Sequence, residues 1–403
     1  MKALVLGLAR SGQAAALALA RRGEPVIAVD RSADVDLGRL AAAGVEVRLG
    51  TEEDSSLEGM DVLIKSPGVP ADAPLVAAAR AHGVPVWSEV ELGGRLLSNP
   101  ILGVTGTNGK TTTCELLGMM LRAPVAGNVG RALCDLDGAV AADEWIVCEL
   151  SSFQLEDIEE FRPRIAVLLN LEPDHLDRHG SFDAYRDAKL RIFENQTAED
   201  TAVVPVGFAA VGDGRRVEFA GADPLPAEPR IPGGHNRENA AAATAAARAA
   251  GVPDERIAEA LRSFPGVPHR LEEVAQIGGV RFVNDSKATN AAAARRAIAS
   301  YEEALHLILG GLGKNESYAE LAADLRDRGA RAYLIGAAAD QLAEALDSPF
   351  ERSGDLATAV RSAAAAARPG DVVLLSPAAA SYDQFENFEA RGDEFRRLVE
   401  ELQ

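Results

Sequence analysis

The stretch "GVTGTNGKTTT", Gly103 to Thr113, follows the apolar pair Ile101–Leu102 and leads into a segment of helical composition. A strand ending near Thr105, a glycine-bearing loop and a helix beginning near Lys110 make a phosphate cradle. Gly106 and Gly109 let backbone N–H groups approach oxyanions closely, and the helix N-terminus adds partial positive charge. Lys110 can reach the terminal phosphates, and the Thr111 hydroxyl suits Mg²⁺. The spacing is not the common one: G-x-x-x-x-G-K-[ST] requires a glycine where Val104 stands. The stretch therefore predicts an α/β domain that binds phosphate, without implying the common P-loop families.

Working outward, the first ninety residues alternate strand-like and helix-like patterns. "KALVLGL", "PVIAVD", "VEVRLG" and "DVLIKSPG" read as strands, with "VPVWSEVEL" closing the run and a helix over Ser11–Arg22. Such alternation predicts a parallel, doubly wound sheet. Beyond the loop, "EWIVCELSS" and "RIAVLLNLEPDH" are apolar runs with polar ends, and "AGADPLPAEPRIPGGHN" is rich in proline and glycine. "FPGVPHR" marks a second boundary, followed by strand signals in "VRFVNDS", "LHLILGG", "RAYLIG" and "DVVLLSP". The expectation is three α/β domains, over residues 1–91, 92–267 and 268–403: a Rossmann-like N-terminal domain, a central P-loop-type domain and a C-terminal Rossmann-like domain.

At 403 residues the chain exceeds one ordinary core, and 47% hydrophobic with 25% charged residues is a globular composition. A formal net charge of −20 argues against a nucleic-acid binder, which needs clustered Lys and Arg. The three cysteines, Cys114, Cys134 and Cys148, fit free thiols in a reducing compartment better than a disulfide framework. The opening "MKALVLGLARSGQAAALALARRG" imitates a signal peptide, but Arg10, Ser11, Gly12 and Gln13 interrupt it. A cytoplasmic protein without stable membrane insertion is expected.

Several motifs carry chemistry. "GLARSG" places Gly7 and Gly12 at the outer positions of a dinucleotide fingerprint, with Ala9 in the middle and Asp30 at the end of the second strand. This degenerate form leaves nucleotide binding and tight helix–strand packing equally open. Glu149 and His175 fall at the ends of two apolar runs, with Asp174 and Asp177 nearby, so both point towards one crevice. Alone, His175 reads as readily as a satisfied buried histidine. In "FDAYRDAKLRIF", Ala184, Ala188 and Ile192 form the apolar stripe, and Lys189 at its boundary reads as a snorkelling lysine. His235, Asn236 and Asn239 at a helix start suit either capping or nucleotide contact. "VNDSKATN" (Val283–Asn290) crowds Asp285, Lys287, Thr289 and Asn290 behind a strand, where such a cluster can grip anions. "HR" (His269–Arg270), "GGLGK" (Gly310–Lys314) and "LLSPAAASYDQFENFEARG" (Leu374–Gly392) add to that set.

Taken in order, these motifs resemble the Mur ligase family, the ATP-dependent amino-acid ligases of peptidoglycan precursor synthesis, over nearly the whole chain. "NDSKATN" and "SPAAASYDQFENFEARG" are similar to the D-glutamate-adding branch, and no "DNPR"-like stretch is found. The resemblance implies that ATP phosphorylates the terminal L-alanine carboxylate of UDP-N-acetylmuramoyl-L-alanine. The D-glutamate amine then attacks the acyl phosphate, giving amide, ADP and phosphate. It also implies roles by position. Gly106, Thr107, Asn108, Gly109, Lys110, Thr111 and Thr112 match the ATP loop, and Asn236, Asn239, Arg270 and Asp285 match nucleotide contacts. Thr111, Glu149, His175 and a CO₂-carboxylated Lys189 match the ligands of two magnesium ions, with Lys110, Lys189 and His175 catalytic. Gly7, Ala9, Arg10, Ser11, Asp30, Arg31 and Asn128 match the uridine-nucleotide site; Lys287, Thr289, Lys314, Ser381 and Phe388 match the D-glutamate site. A monomer is expected.

Three other readings compete. A folylpolyglutamate synthase shares the loop and the amide chemistry but lacks a separate domain of the type in residues 1–90. An NAD-dependent dehydrogenase would use "GLARSG" and Asp30 and leave the ATP loop unexplained. A non-catalytic nucleotide-binding regulator has no use for Lys110, Glu149, His175 and Lys189 together.

Overall fold

The computed structural model describes residues 1–209, 212–313 and 317–402, with Asp177 described by its backbone alone. The first sheet is built from β1 (Ala3–Leu6), β2 (Val26–Asp30), β3 (Glu46–Leu49), β4 (Val62–Lys65) and β5 (Val86–Ser88), all parallel in the order β3-β2-β1-β4-β5. Its inner strands are apolar runs without alternation because helices cover both faces. The alanine-rich helix Arg10–Arg21 buries Ala14 to Leu19 against it. "VPVWSEVEL" is not one strand. Only Val86–Ser88 pairs; the Ser88 hydroxyl then accepts the Glu91 N–H and starts the helix Glu89–Leu96. A serine followed by acids in the first turn is an N-cap signal that outweighs the apolar alternation.

The second sheet contains β6 (Ile101–Thr105), β7 (Val125–Gly127), β8 (Ile146–Glu149), β9 (Ile165–Leu168), β10 (Thr201–Pro205) and β11 (Arg215–Phe219). It is wholly parallel in the order β11-β10-β9-β6-β8-β7. β6, which feeds the glycine-bearing loop, lies between β8 and β9, so the segments after these three strands open at one edge of the sheet. Parallel strands all present their carboxyl ends there, which is where ligands of open α/β sheets bind. Both sheets belong to one compact unit, Met1–Pro229 with His235–Ser263.

The other unit, Arg230–Gly234 with Phe264–Gln403, carries the third sheet. Its strands are β12 (Glu272–Ile277), β13 (Val280–Asn284), β14 (Leu305–Gly310), β15 (Arg331–Ile335), β16 (Phe350–Gly354) and β17 (Val372–Leu375). The order is β12-β13-β17-β14-β15-β16, with β12 antiparallel to β13 and the remaining pairs parallel. The edge strands β12 and β16 carry charges such as Glu272, Glu273, Glu351 and Arg352. Such half-buried edges lack the apolar run that marks the central strands.

Candidate active site

The glycine-bearing loop begins where β6 ends and finishes at the helix Lys110–Leu121. Gly109 precedes that helix at φ +84°, and a Cβ there would lie 2.1 Å from Asn239 Oδ1. Only glycine fits both the backbone and the space. Asn236 and Asn239 are buried within the helix Gly234–Ala249 and are not caps; the contact at Gly109 brings Asn239 onto the loop. Thr111 and Thr112 are also buried in the first helical turn.

The segment after β9 forms the opposite wall. Asn170 O accepts the Thr107 N–H at 3.1 Å, and Asn170 Oδ1 accepts the Asn108 N–H at 2.9 Å. Asn108 Nδ2 donates to Glu172 at 2.9 Å. The Thr107 hydroxyl donates to the Glu172 carbonyl at 3.2 Å and accepts its N–H at 3.0 Å. Tyr185 donates its phenol to the same hydroxyl at 3.0 Å.

Two lysines meet inside this loop. Lys110 Nζ donates to the carbonyls of Gly106 and Thr107 at 2.8 and 2.9 Å, and Lys189 Nζ donates to the Gly106 carbonyl at 2.8 Å. Lys189 is buried, not snorkelling. The covered stripe of its helix is Tyr185, Ala188 and Lys189, continued by Ile192, while Ala184 faces solvent. The stripe is displaced by one residue because Tyr185 packs inward as well as bonding to Thr107. Burial, with the neighbouring Lys110 ammonium next, pulls the Lys189 amine down to about 7.

Glu149 ends β8 almost wholly buried. One carboxylate oxygen accepts Asn128 Nδ2 at 3.0 Å, and the other has no hydrogen-bond partner. His175 is not buried: it occupies the left-handed region at φ +50° and its side chain is 51% exposed, with Nε2 3.6 Å from Asp174. No group of three His, Cys, Asp or Glu able to hold a metal assembles among the described residues. The orphaned Glu149 oxygen nonetheless fits a hard cation that takes its remaining ligands from phosphate and water, as Mg²⁺ commonly does.

In the first loop, Gly7 (φ +86°) precedes the helix Arg10–Arg21, and a Cβ at Gly12 would lie 1.8 Å from the Gly7 carbonyl oxygen. Asp30 accepts the N–H groups of Leu8 at 2.6 Å and Ser32 at 2.8 Å, which fixes the loop. Ala9 is the residue before the helix, Ser11 lies in its first turn and Arg31 is exposed. Arg10 donates to the Asn128 carbonyl at 3.0 Å. Since Asn128 also binds Glu149, one hydrogen-bonded chain joins the first loop to the end of β8 beside the glycine-bearing loop.

In the C-terminal unit the polar segment after β13 meets the segment after β17. Asp285 accepts the Ser376 hydroxyl at 2.8 Å and the Leu271 N–H at 3.2 Å, next to Arg270, and burial pushes its carboxyl up to about 7. Lys287 Nζ lies 5.6 Å from the centre of the Phe388 ring. The Thr289 N–H donates to Lys287 O at 2.9 Å, and Asn290 caps the helix Ala291–Ala299. Ser381 is buried. Lys314 lies outside the described residues. Arg391, which the motif reading passed over, is fully buried and donates to Ser286 Oγ and to the carbonyls of Ser286, Ala379, Ala380 and Gly310. Its position in "FEARG" gave no warning, since an arginine in a terminal helix ordinarily faces solvent.

Comparison with known proteins identifies the family. Residues 1–88 match the model of the Mur ligase MurD-like N-terminal domain, residues 104–209 that of the Mur ligase middle domain, and residues 269–379 that of the Mur ligase glutamate ligase domain. The UDP-N-acetylmuramoylalanine–D-glutamate ligase of Acidobacterium capsulatum is 44% identical, covering 99% of this chain and 96% of the relative. The protein of the same name from Myxococcus xanthus is 42% identical, covering 100% and 98%. Among solved structures, the UDP-N-acetylmuramate–alanine ligase of Thermotoga maritima shares the fold with a TM-score of 0.60 and 19% identity, covering 100% of both chains. The MurF ligase of Thermotoga maritima, in complex with ADP, has a TM-score of 0.60 and 17% identity, covering 95% of this chain and 91% of the other. The chain is a MurD-like member of the Mur ligase family.

Proposed function

We propose that this chain joins D-glutamate to UDP-N-acetylmuramoyl-L-alanine with cleavage of ATP to ADP and phosphate, in peptidoglycan precursor synthesis. The observation that carries the reading is the convergence of Lys110 and Lys189 on the Gly106 carbonyl beside the buried Glu149. A phosphate loop with one lysine is a nucleotide site; a second buried lysine, with an amine near neutrality, is equipment for chemistry. The full-length relatives of that activity support the substrate.

The carboxylate of the terminal L-alanine takes the γ-phosphoryl group, releasing ADP and leaving an acyl phosphate. The D-glutamate amine attacks the acyl carbon, the C–O bond to phosphate breaks, and the amine proton is lost to a base or solvent. Lys110 and the N-terminus of its helix balance charge on the phosphoryl group in flight. Lys189, held near neutrality, adds to CO₂ with loss of a proton and becomes an anionic carbamate. With Thr111, Glu149 and His175 the carbamate would supply ligands for two magnesium ions. Bound Mg²⁺ there supplies charge neutralisation of the polyphosphate. Residues 1–91 receive the uridine nucleotide through Gly7, Ala9, Arg10, Ser11, Asp30 and Arg31, residues 92–267 receive ATP, and residues 268–403 receive D-glutamate through Lys287, Thr289, Lys314, Ser381 and Phe388. The protein works as a cytoplasmic monomer. Among the described residues no helix is long and apolar enough to cross a membrane.

The test is phosphate release by purified protein with ATP, Mg²⁺ and UDP-N-acetylmuramoyl-L-alanine, adding D-glutamate, L-glutamate, meso-diaminopimelate, L-lysine or L-alanine singly. Release with D-glutamate alone is expected. Release with another amino acid moves the protein to a different ligation step, and silence with all of them overturns the reading.

A further inference from the structure

The parallel pairing of β6 with β9 does not stop where the strands end. The Leu169 N–H donates to the Thr105 carbonyl at 3.0 Å and the Thr107 N–H to the Asn170 carbonyl at 3.1 Å, carrying the ladder past Gly106. Beyond Asn170 the backbone supplies no further rung, and the side chain takes over. Asn170 Oδ1 accepts the Asn108 N–H at 2.9 Å, and Asn170 Nδ2 donates to the Asn108 carbonyl at 3.2 Å. One primary amide thus engages both polar groups of a single peptide residue, as a neighbouring strand would. Asparagine alone offers donor and acceptor in that planar arrangement at that reach.

This pairing divides the loop in two. The amides of Thr107 and Asn108 are already occupied by Asn170. Those of Gly109, Lys110, Thr111 and Thr112 begin the helix Lys110–Leu121, where the first N–H groups have no intrahelical partner. We propose that Asn170 is a positioning residue for the nucleotide. It withdraws the Thr107 and Asn108 amides from anion recognition and sets the loop so that the polyphosphate is read only by amides from Gly109 onward. The proposal rests on the reading of this loop as the ATP site.

Residue-resolved amide exchange with ADP and Mg²⁺ as the probe tests it. In nucleotide-free protein the Thr107 and Asn108 amides are expected to be protected already and to change little on adding ADP, while Gly109 to Thr112 gain protection. Free exchange at Thr107 and Asn108, slowed only by ADP, overturns the proposal. In Asn170→Ala, exchange at those two amides is expected to accelerate. ADP affinity is expected to fall about tenfold, with KM for ATP rising and KM for D-glutamate unmoved. Unaltered ADP affinity in a variant whose nucleotide-free melting temperature matches wild type also overturns it. The exchange and ADP-affinity readouts need no turnover: ADP binding by a protein silent in the ligase assay would remove the substrate reading and leave Asn170 in its role, whereas a wild-type protein that ignores ADP removes both.

Discussion

Lys110 and Lys189 donate to one oxygen, the Gly106 carbonyl, each at 2.8 Å. Two cations cannot be held this close in a buried site without one of them giving way, and Lys189 is the more enclosed. The backbone carbonyl collects both amines, and their repulsion helps keep Lys189 near neutrality.

A permanent cation at position 189 should therefore serve no better than a methyl group. Lys189→Ala and Lys189→Arg are each expected to lower kcat by more than about a hundredfold, in the range found when a charge-stabilising group is removed from an active site. Far-UV circular dichroism should match wild type. An active Lys189→Arg protein would dispose of the carbamate.

The loop itself has no room to vary. Gly109→Ala places a Cβ 2.1 Å from Asn239 Oδ1 at φ +84°. A loss of about 1–3 kcal/mol in stability is expected from strain and the displaced Asn239 together, with a raised KM for ATP. Urea titration and steady-state kinetics measure the two effects.

Glu89 supplies a pH signature away from the chemistry. Its carboxyl is fully buried, accepts the Cys134 N–H at 2.6 Å and is pushed up to about 7 by burial. A carboxyl raised in the folded state stays protonated there while the unfolded chain ionises, so its contribution is complete below about 4.5 and is lost as pH rises through about 7. Glu89→Gln, which keeps an acceptor for Cys134 and cannot ionise, should melt near the wild-type temperature at acid pH and above it at pH 8.5 or so. Equal melting at both pH values would show that Glu89 is ionised in the fold.

Arg391 is the corresponding test in the C-terminal unit. Truncation to alanine strips partners from the carbonyls of Ser286, Ala379 and Ala380 at once. A cost of about 3 kcal/mol or more follows from the unsatisfied buried groups and the cavity. Thermal unfolding measures it. Arg391→Met, which fills the space without the donors, should recover only the packing part.

The elements that the sequence announced are those whose local and tertiary signals agree. "KALVLGL", "ILGVTG" and "LHLILGG" are central strands buried on both faces, and their apolar runs say so. β10 and β11 were not anticipated, and neither were the charged edges β12 and β16. The edges β11, β12 and β16 depend on pairing with distant chain, which no window of sequence displays, whereas β10 is a buried interior strand whose five-residue, largely apolar run was legible. The site divides in the same way. Lys110 and Gly109 are visible in a motif, but the burial of Lys189 depends on Tyr185 packing inward to reach Thr107, and Asn170 acquires its role only because β9 lies beside β6. Arg391 looks like a surface residue until three strand ends close around it.

The bonds from Arg10 to Asn128 and from Asn128 to Glu149 span the first loop and the phosphate edge. The two bonds use different groups of Asn128, its carbonyl toward Arg10 and its side-chain amide toward Glu149, so a ligand that shifts Asn128 from either side reaches the other. Linkage makes that influence equal in both directions. Any coupling between the affinities of two such ligands is then a single free energy, and it passes through one asparagine.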